Sequence, residues 1–179
     1  MKIYHWTDLD LIVKQLKSHH FVAVVETDTV MGVISLNSDL IYQVKLRPSE
    51  KKLVLFINNL NQIPGLSTKE INVLKHYVPG ALTIIKNQVG YRIPNHENLL
   101  KLIALTGPIY SSSANISGQN PCLDINDATK IFKNQVDKII FVEGKNLTNT
   151  PSTIIDLNQY KLLRNGAIDG WKILKELKQ

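Results

Sequence analysis

The chain has 179 residues, 44% hydrophobic and 20% charged, which suits one cored domain and excludes a disordered, collagenous or disulfide-stapled chain. Lys and Arg total 21 against 15 Asp and Glu, a net charge of +6. Only Arg47, Arg92 and Arg164 are arginines, and in so lysine-rich a background each marks a place where a planar fork serves and a point charge does not.

In chain order, Thr7 or Asp8 can cap a first helix with Leu9, Ile12, Val13 and Leu16 at helical spacing. FVAVVE (21–26) is an apolar, β-branched run and predicts a buried strand, and VMGVIS (30–35) a second one. A short helix is expected over 39–45, ending before Arg47-Pro48, and LVLFI (53–57) is a third buried strand. Residues 67–77 open with an S/T-x-x-E capping pattern and carry Ile71, Leu74 and Tyr77 on one face. Strands are expected at 81–86 and 89–93, a helix over 95–105, and a brief strand after Gly107-Pro108 that runs into the polar stretch SSSANISGQNP. A helix at 125–134, the strand KIIFVEG, two short strands STIIDL and YKLLR, and the helix IDGWKILKEL complete the chain. Strands and helices alternate without strict order, so the expected fold is one α/β domain over 1–179, a twisted mixed sheet with flanking helices.

Cys122 is alone, which excludes an internal disulfide and a multi-Cys zinc site. The five histidines show no metal-ligand spacing, so no protein metal site is expected. The N-terminus has no apolar signal region and no apolar run approaches a membrane span, so a cytoplasmic protein without a membrane partner is expected. The sequons at Asn115 and Asn146 are then chance matches.

Five segments place polar or basic residues where a buried strand ends, the usual place for a site in such sheets. Thr27-Asp28-Thr29 with Gly32 offers hydroxyls to a ligand carboxylate and lets backbone approach closely. Lys45-Leu46-Arg47-Pro48 with Lys51 and Lys52 concentrates four cations and suits a polyanion such as a triphosphate. Arg92 sits in an otherwise apolar strand, where a charge needs a partner. Ser111 to Gly118 combines small hydroxyls with glycine and can wrap phosphate oxygens, without being a Walker A loop. Ser152-Thr153-Ile154-Ile155-Asp156 is followed by Arg164 just before a glycine turn. Neither a nucleophile elbow nor a dinucleotide fingerprint is present, so chemistry at such a cleft proceeds by positioning and charge stabilisation.

Read together, these segments resemble the threonylcarbamoyl-AMP synthase (YrdC-like) family. Its pattern T-x-T-x-x-G, K-x-R-P, P-G-x-L-T, R-x-P, S-x-N-x-S-G, S-T-x-x-D, L-R-x-G is matched in order from Thr27 to Gly166. Glu26, Met31, Lys52, Pro151 and Asn165 depart from the residues usual beside those motifs, as in a size-reduced homologue. The resemblance implies a concave cationic cavity and condensation of L-threonine, bicarbonate and ATP to threonylcarbamoyl-AMP and diphosphate. Partner proteins would then transfer the threonylcarbamoyl group to adenosine 37 of tRNAs that read codons starting with A, and tRNA would be a further partner. By the same resemblance, Lys45 and Arg47 are catalytic. Arg47, Lys51, Ser113, Asn115 and Arg164 bind ATP, while Thr27, Arg92, Ser111 and Ser152 bind threonine. Mg²⁺ would ride on the ATP phosphates. The alternative is a module of this fold that binds RNA on a basic face without catalysis, or one with a different carbamoyl-transfer role. Convergence of the three arginines on one cleft is the signature that separates the enzyme from the RNA binder.

Overall fold

The computed structural model describes residues 2–132, 134, 137–144 and 148–179. The Asn146 sequon and the Lys133 end of the expected 125–134 helix lie outside the described residues. The strands are β1 (Lys2–His5), β2 (Val22–Val25), β3 (Gly32–Ser35), β4 (Val54–Phe56) and β5 (Leu82–Lys86), then β6 (Val89–Arg92), β7 (Ile109–Ser113), β8 (Ile139–Glu143), β9 (Thr153–Asp156) and β10 (Lys161–Arg164). The helices are α1 (Leu9–Lys17), α2 (Ser38–Lys45), α3 (Thr68–Leu74), α4 (Glu97–Thr106), α5 (Ile125–Ile131) and α6 (Gly170–Lys178).

All ten strands form one mixed sheet in the order β1-β8-β2-β3-β7-β4-β6-β5-β9-β10. The expected α/β mixed sheet with flanking helices is therefore the observed fold. The strand missing from the sequence reading is β1, four residues that pair parallel to β8 at the sheet edge. So short a segment carries too few alternations to register as a strand. In the other direction, β7 runs through Ser111-Ser112-Ser113, which composition alone assigns to a loop. Pairing with β3 and β4 on its two sides overrides the weak strand propensity of serine.

The two halves of the sheet are covered differently, and the period-2 alternation of strands records it. In β2 and β8, Val22, Val24, Ile139 and Phe141 enter a cluster with residues of α2 and α5. The intervening Ala23, Val25, Ile140 and Val142 enter another with α1 and α4. Both faces of this half are thus buried, which explains the unbroken apolar runs. In the other half, Leu82, Ile84, Tyr91, Ile93 and Ile155 pack with residues of α3 and α6. The alternate residues Thr83, Arg92 and Ile154 lie on the opposite face, which forms the floor of a cavity. Among the described residues no helix is long and apolar enough to cross a membrane.

One buried polar joint ties α3 to this half. Ser67 caps α3 by accepting from the Glu70 N–H, and Glu70 accepts in return from the Ser67 N–H at 2.7 Å. Glu70 also pairs with Lys86 at 2.9 Å and accepts from the Tyr160 hydroxyl. Burial pushes the Glu70 carboxyl up, but the bonds from Ser67 and Lys86 outweigh it and hold it below the ordinary carboxylate range. Its contribution to stability is therefore present above the ordinary carboxylate pKa and lost as pH falls through the lowered value. Glu70→Ala is expected to cost about 2 kcal/mol in urea unfolding near neutral pH. The deficit should shrink in acid; one that stays constant down to full protonation would show the carboxylate charge to be irrelevant.

Candidate active site

The cavity has a volume of about 310 Å³, at the lower end of small-molecule sites. Strand register assembles its floor. Val54 lies opposite Ser111, Phe56 opposite Arg92, and Thr83 opposite Ile154, so these side chains share one face. The β2–β3 connection supplies Thr27, Thr29, Val30, Met31 and Gly32 along one wall. Arg47 and Lys52 come from the α2–β4 connection, Ser152 from just before β9, and Arg164 from the end of β10. All three arginines line this one cavity, and among its described lining residues there is no carboxylate.

Arg92 is the most constrained of them, only 6% exposed. Its Nη2 pairs with Asp28 at 2.6 Å, Nη1 donates to the Thr29 hydroxyl at 2.8 Å, and Nε donates to the Gly80 carbonyl at 3.2 Å. Its guanidinium also sits 5.8 Å from the centre of the Phe56 ring. Three of the five N–H groups are thereby used, leaving one on each Nη for a ligand. Burial lowers the pKa of Arg92 against the opposing pull of Asp28. Burial lowers Arg164 too, and the charge of Arg92 adds to that shift. These two cations repel across the site, and an anion bound between them would relieve the repulsion.

The hydroxyls are held by short local bonds. Thr27 Oγ1 donates to the Val30 carbonyl at 2.8 Å and accepts from the Thr29 N–H, which closes the β2–β3 turn. A Cβ at Gly32 would stand 3.1 Å from the Thr27 methyl, so that position packs tightly against the turn. Ser152 Oγ bonds to Thr83 Oγ1 at 2.9 Å and accepts from Arg164 Nη2 at 3.2 Å, while Arg164 Nε donates to the Ser152 carbonyl. The glycine after Arg164 has a steric cause: a Cβ on Gly166 would lie 2.2 Å from the Pro151 carbonyl oxygen. Ser111 is buried at the floor and lines the cavity.

Of the residues expected from sequence, Thr27, Arg47, Arg92, Ser111, Ser113, Ser152 and Arg164 come together on the cavity. Lys45, Lys51 and Asn115 are not among the residues that line it. Lys45 is fully buried under the serine-rich loop. Its Nζ donates to the carbonyls of Ser113 and Asn115 (the latter at 2.6 Å) and to Asn115 Oδ1 at 2.9 Å. Asn115 in turn donates to the carbonyls of Ile116 and Gln119 and accepts from Ser113 Oγ, so its amide is spent inside the loop. Burial, with Arg47 nearby, pushes the Lys45 pKa down to about 7, while three acceptor oxygens match the three protons of the charged form. Lys45 positions the loop that presents Ser113. Lys51 is exposed and offers its carbonyl to Arg47 Nε at 2.8 Å. Sequence reasoning missed Thr83 and Phe56 as lining residues, although alternation within ALTIIK and LVLFI could have picked them out.

Because Lys45→Met removes the ammonium donor from the Ser113 and Asn115 carbonyls and leaves Asn115 Oδ1 with only the Ser113 hydroxyl, it is expected to destabilise the fold by roughly 2–4 kcal/mol in denaturant unfolding. Unchanged stability would show that the ammonium is dispensable to the loop.

Comparison with known proteins places this geometry. A sequence model of the Sua5/YciO/YrdC family, described under telomere recombination, matches residues 15–166. An uncharacterised protein of Mycoplasma genitalium is 32% identical over 158 residues, which cover 87% of this chain and 34% of that protein. A threonylcarbamoyl-AMP synthase of Pyrococcus abyssi is 31% identical over 150 residues, covering 72% of this chain and 44% of that enzyme. The crystal structure of P. abyssi Sua5 complexed with L-threonine matches with a TM-score of 0.85 at 23% identity, over 98% of this chain and 61% of that one. The chain thus spans about a third of the mycoplasma protein's length and less than half of the Pyrococcus enzyme's. The matched segment holds every lining residue of the cavity, and the chain belongs to the Sua5/YciO/YrdC family.

Proposed function

We propose that this chain is an L-threonylcarbamoyladenylate synthase, condensing L-threonine, bicarbonate and ATP to threonylcarbamoyl-AMP and diphosphate. The observation that carries the reading is the convergence of Arg47, Arg92 and Arg164, from three distant stretches of chain, on one hydroxyl-lined cavity. A site for an amino acid and a triphosphate needs such separated anion-binding forks. The name of the Pyrococcus relative and the threonine held by P. abyssi Sua5 support the same substrate class.

In this reading the threonine carboxylate takes the two unused N–H groups of Arg92, beside the Ser111 and Ser152 hydroxyls and the Thr27 turn. The threonine amine adds to the carbon of CO₂ derived from bicarbonate and loses a proton, giving a carbamate. A carbamate oxygen then attacks the α-phosphorus as the bond to the diphosphate oxygen breaks. Arg47 and Arg164 stabilise charge on the transferring and departing phosphates, and Ser113 faces the nucleotide. The lining holds no carboxylate among its described residues, which fits a Mg²⁺ carried by phosphate oxygens instead of by a protein cage. Apolar Val54, Phe56 and Ile154 in the floor limit water near the carbamate. The product would pass to transfer proteins that modify tRNA, in the cytoplasm.

Purified protein is expected to release diphosphate from ATP only when threonine and bicarbonate are both supplied. No release above background with both present would sink the enzyme reading and leave the RNA-binding alternative. Arg47 spans two successive carbonyls, with Nε on Lys51 and Nη2 on Lys52 at 2.9 Å. Arg47→Lys keeps the charge but cannot keep that fork, and is expected to lower kcat/KM by about tenfold or more with the fold intact. Near-normal turnover would show that charge alone suffices there.

A further inference from the structure

His96 lies outside the cavity lining, yet it is only 7% exposed and directly follows the residue that shares Asp28 with Arg92. Asp28 bridges two partners: its Oδ1 takes Arg92 Nη2 at 2.6 Å, and its Oδ2 takes the Asn95 N–H at 3.0 Å. The next residue, His96, is the N-cap of α4, and its Nδ1 accepts from the Leu99 N–H at 3.3 Å. A ring nitrogen that accepts carries no proton, so the single proton of this imidazole is on Nε2. Trp6 packs against the ring, with ring centres 5.4 Å apart. Helix start, connection and guanidinium are thus joined in one series, Leu99–His96–Asn95–Asp28–Arg92.

The cap works only while the imidazole is neutral. A proton on Nδ1 removes the acceptor, and the resulting cation faces the positive end of a ten-residue helix. We propose that His96 is a positioning residue for the amino-acid site: its neutral ring fixes the start of α4 and, through Asn95 and Asp28, keeps Arg92 aimed at a carboxylate, so that protonating His96 weakens threonine binding and spares nucleotide binding. Burial lowers the His96 pKa below the ordinary histidine value, against the opposing pull of Asp28. The cap is therefore complete above the ordinary histidine range and is lost as pH falls through the lowered value. Other charged groups stand on the elements around it. Glu26 meets Trp6 across Gly144, and Arg92 is paired with Asp28. Glu97 and Lys101 pair on the exposed side of α4, Asp8 accepts from the His5 N–H, and the His5 ring pairs with Glu143 at 3.6 Å. The proposal rests on the synthase reading, in which Arg92 takes the threonine carboxylate, and adds a residue that acts through Arg92.

The test is calorimetric titration of threonine and, separately, of Mg-ATP into the full chain between about pH 7.5 and 5, a range that brackets ordinary histidine titration. His96→Asn keeps a capping acceptor and cannot titrate, whereas His96→Ala has no acceptor. At the upper pH, His96→Asn is expected to bind threonine within about twofold of wild type, and His96→Ala about fivefold more weakly, the effect of one lost cap. On acidification wild type is expected to lose about fivefold more threonine affinity than His96→Asn, while their ratio for Mg-ATP stays within about twofold. A parallel decline of the two proteins, which would point to another group such as His5, or equal losses for threonine and Mg-ATP, would overturn the proposal and leave the synthase reading intact. Wild-type protein that binds no threonine at any pH would overturn both. The chain has two tryptophans, so in a Trp171→Phe background Trp6 reports alone. Its emission is expected to be quenched in acid by the neighbouring imidazolium, and the His96→Asn substitution is expected to abolish that quenching; the same response in both would overturn the proposal. Far-ultraviolet circular dichroism checks folding across the range; if His96→Asn is not folded, His96→Ser takes its place under the same criteria.

Discussion

The ion pair between Arg92 and Asp28 organises the site. It joins the end of β6 to the turn between β2 and β3, two parts of the sheet separated by β7 and β4. Asp28 also accepts from the Asn95 N–H at 3.0 Å, and Arg92 binds the Gly80 carbonyl, so one pair fixes three connections at once. Buried pairs of this kind contribute little net stability, because desolvation offsets their attraction. What they supply is geometry. Here the guanidinium is pinned over Phe56 with two donors left over, while the Thr27 and Thr29 hydroxyls are locked into the turn. The β4–β6 and β5–β6 registers place the other floor strands beside it.

The uneven cover of the sheet follows from the same economy of structure. Helices close both faces of β8 and β2, where every residue but Glu143 is apolar. They close one face of the β6–β5–β9 half, where Thr83 and Arg92 interrupt the apolar pattern. A helix laid over that second face would have to bury Arg92 and Arg164 against apolar side chains, at the cost of desolvating both charges. The open face is thus the physical consequence of placing arginines in strands.

The cations around the site divide by what they touch. Arg47 and Arg164 each hold backbone carbonyls with Nε and reach the cavity from that anchor. Lys45 bonds to three oxygens of the loop below the cavity. Those bonds hold the carbonyls of Ser113 and Asn115 and so help set the path of the loop. A planar fork can bind the protein and a ligand together, whereas an ammonium with three partners is fully used.

Much of this was legible in the residues. The long apolar runs marked both-sided burial at β2 and β8, the Ser67–Glu70 capping pattern marked the start of α3, and the rarity of arginine marked three cavity positions. Those features are local or compositional, and they survive any tertiary arrangement. Other decisions were out of reach. Whether Lys45, Lys51 or Lys52 faces a ligand depends on which side of β4 is covered and on which carbonyls lie above α2, and both are set by segments some 40 to 70 residues away. That Ser111 to Ser113 form a strand depends on neighbours on both sides, and β1 exists only because β8 offers it an edge. The sequence by itself determined which residues carry charge, hydroxyl and apolar surface and at what period. The tertiary structure decided which of them meet, because a strand's two faces are equivalent until something packs against one of them.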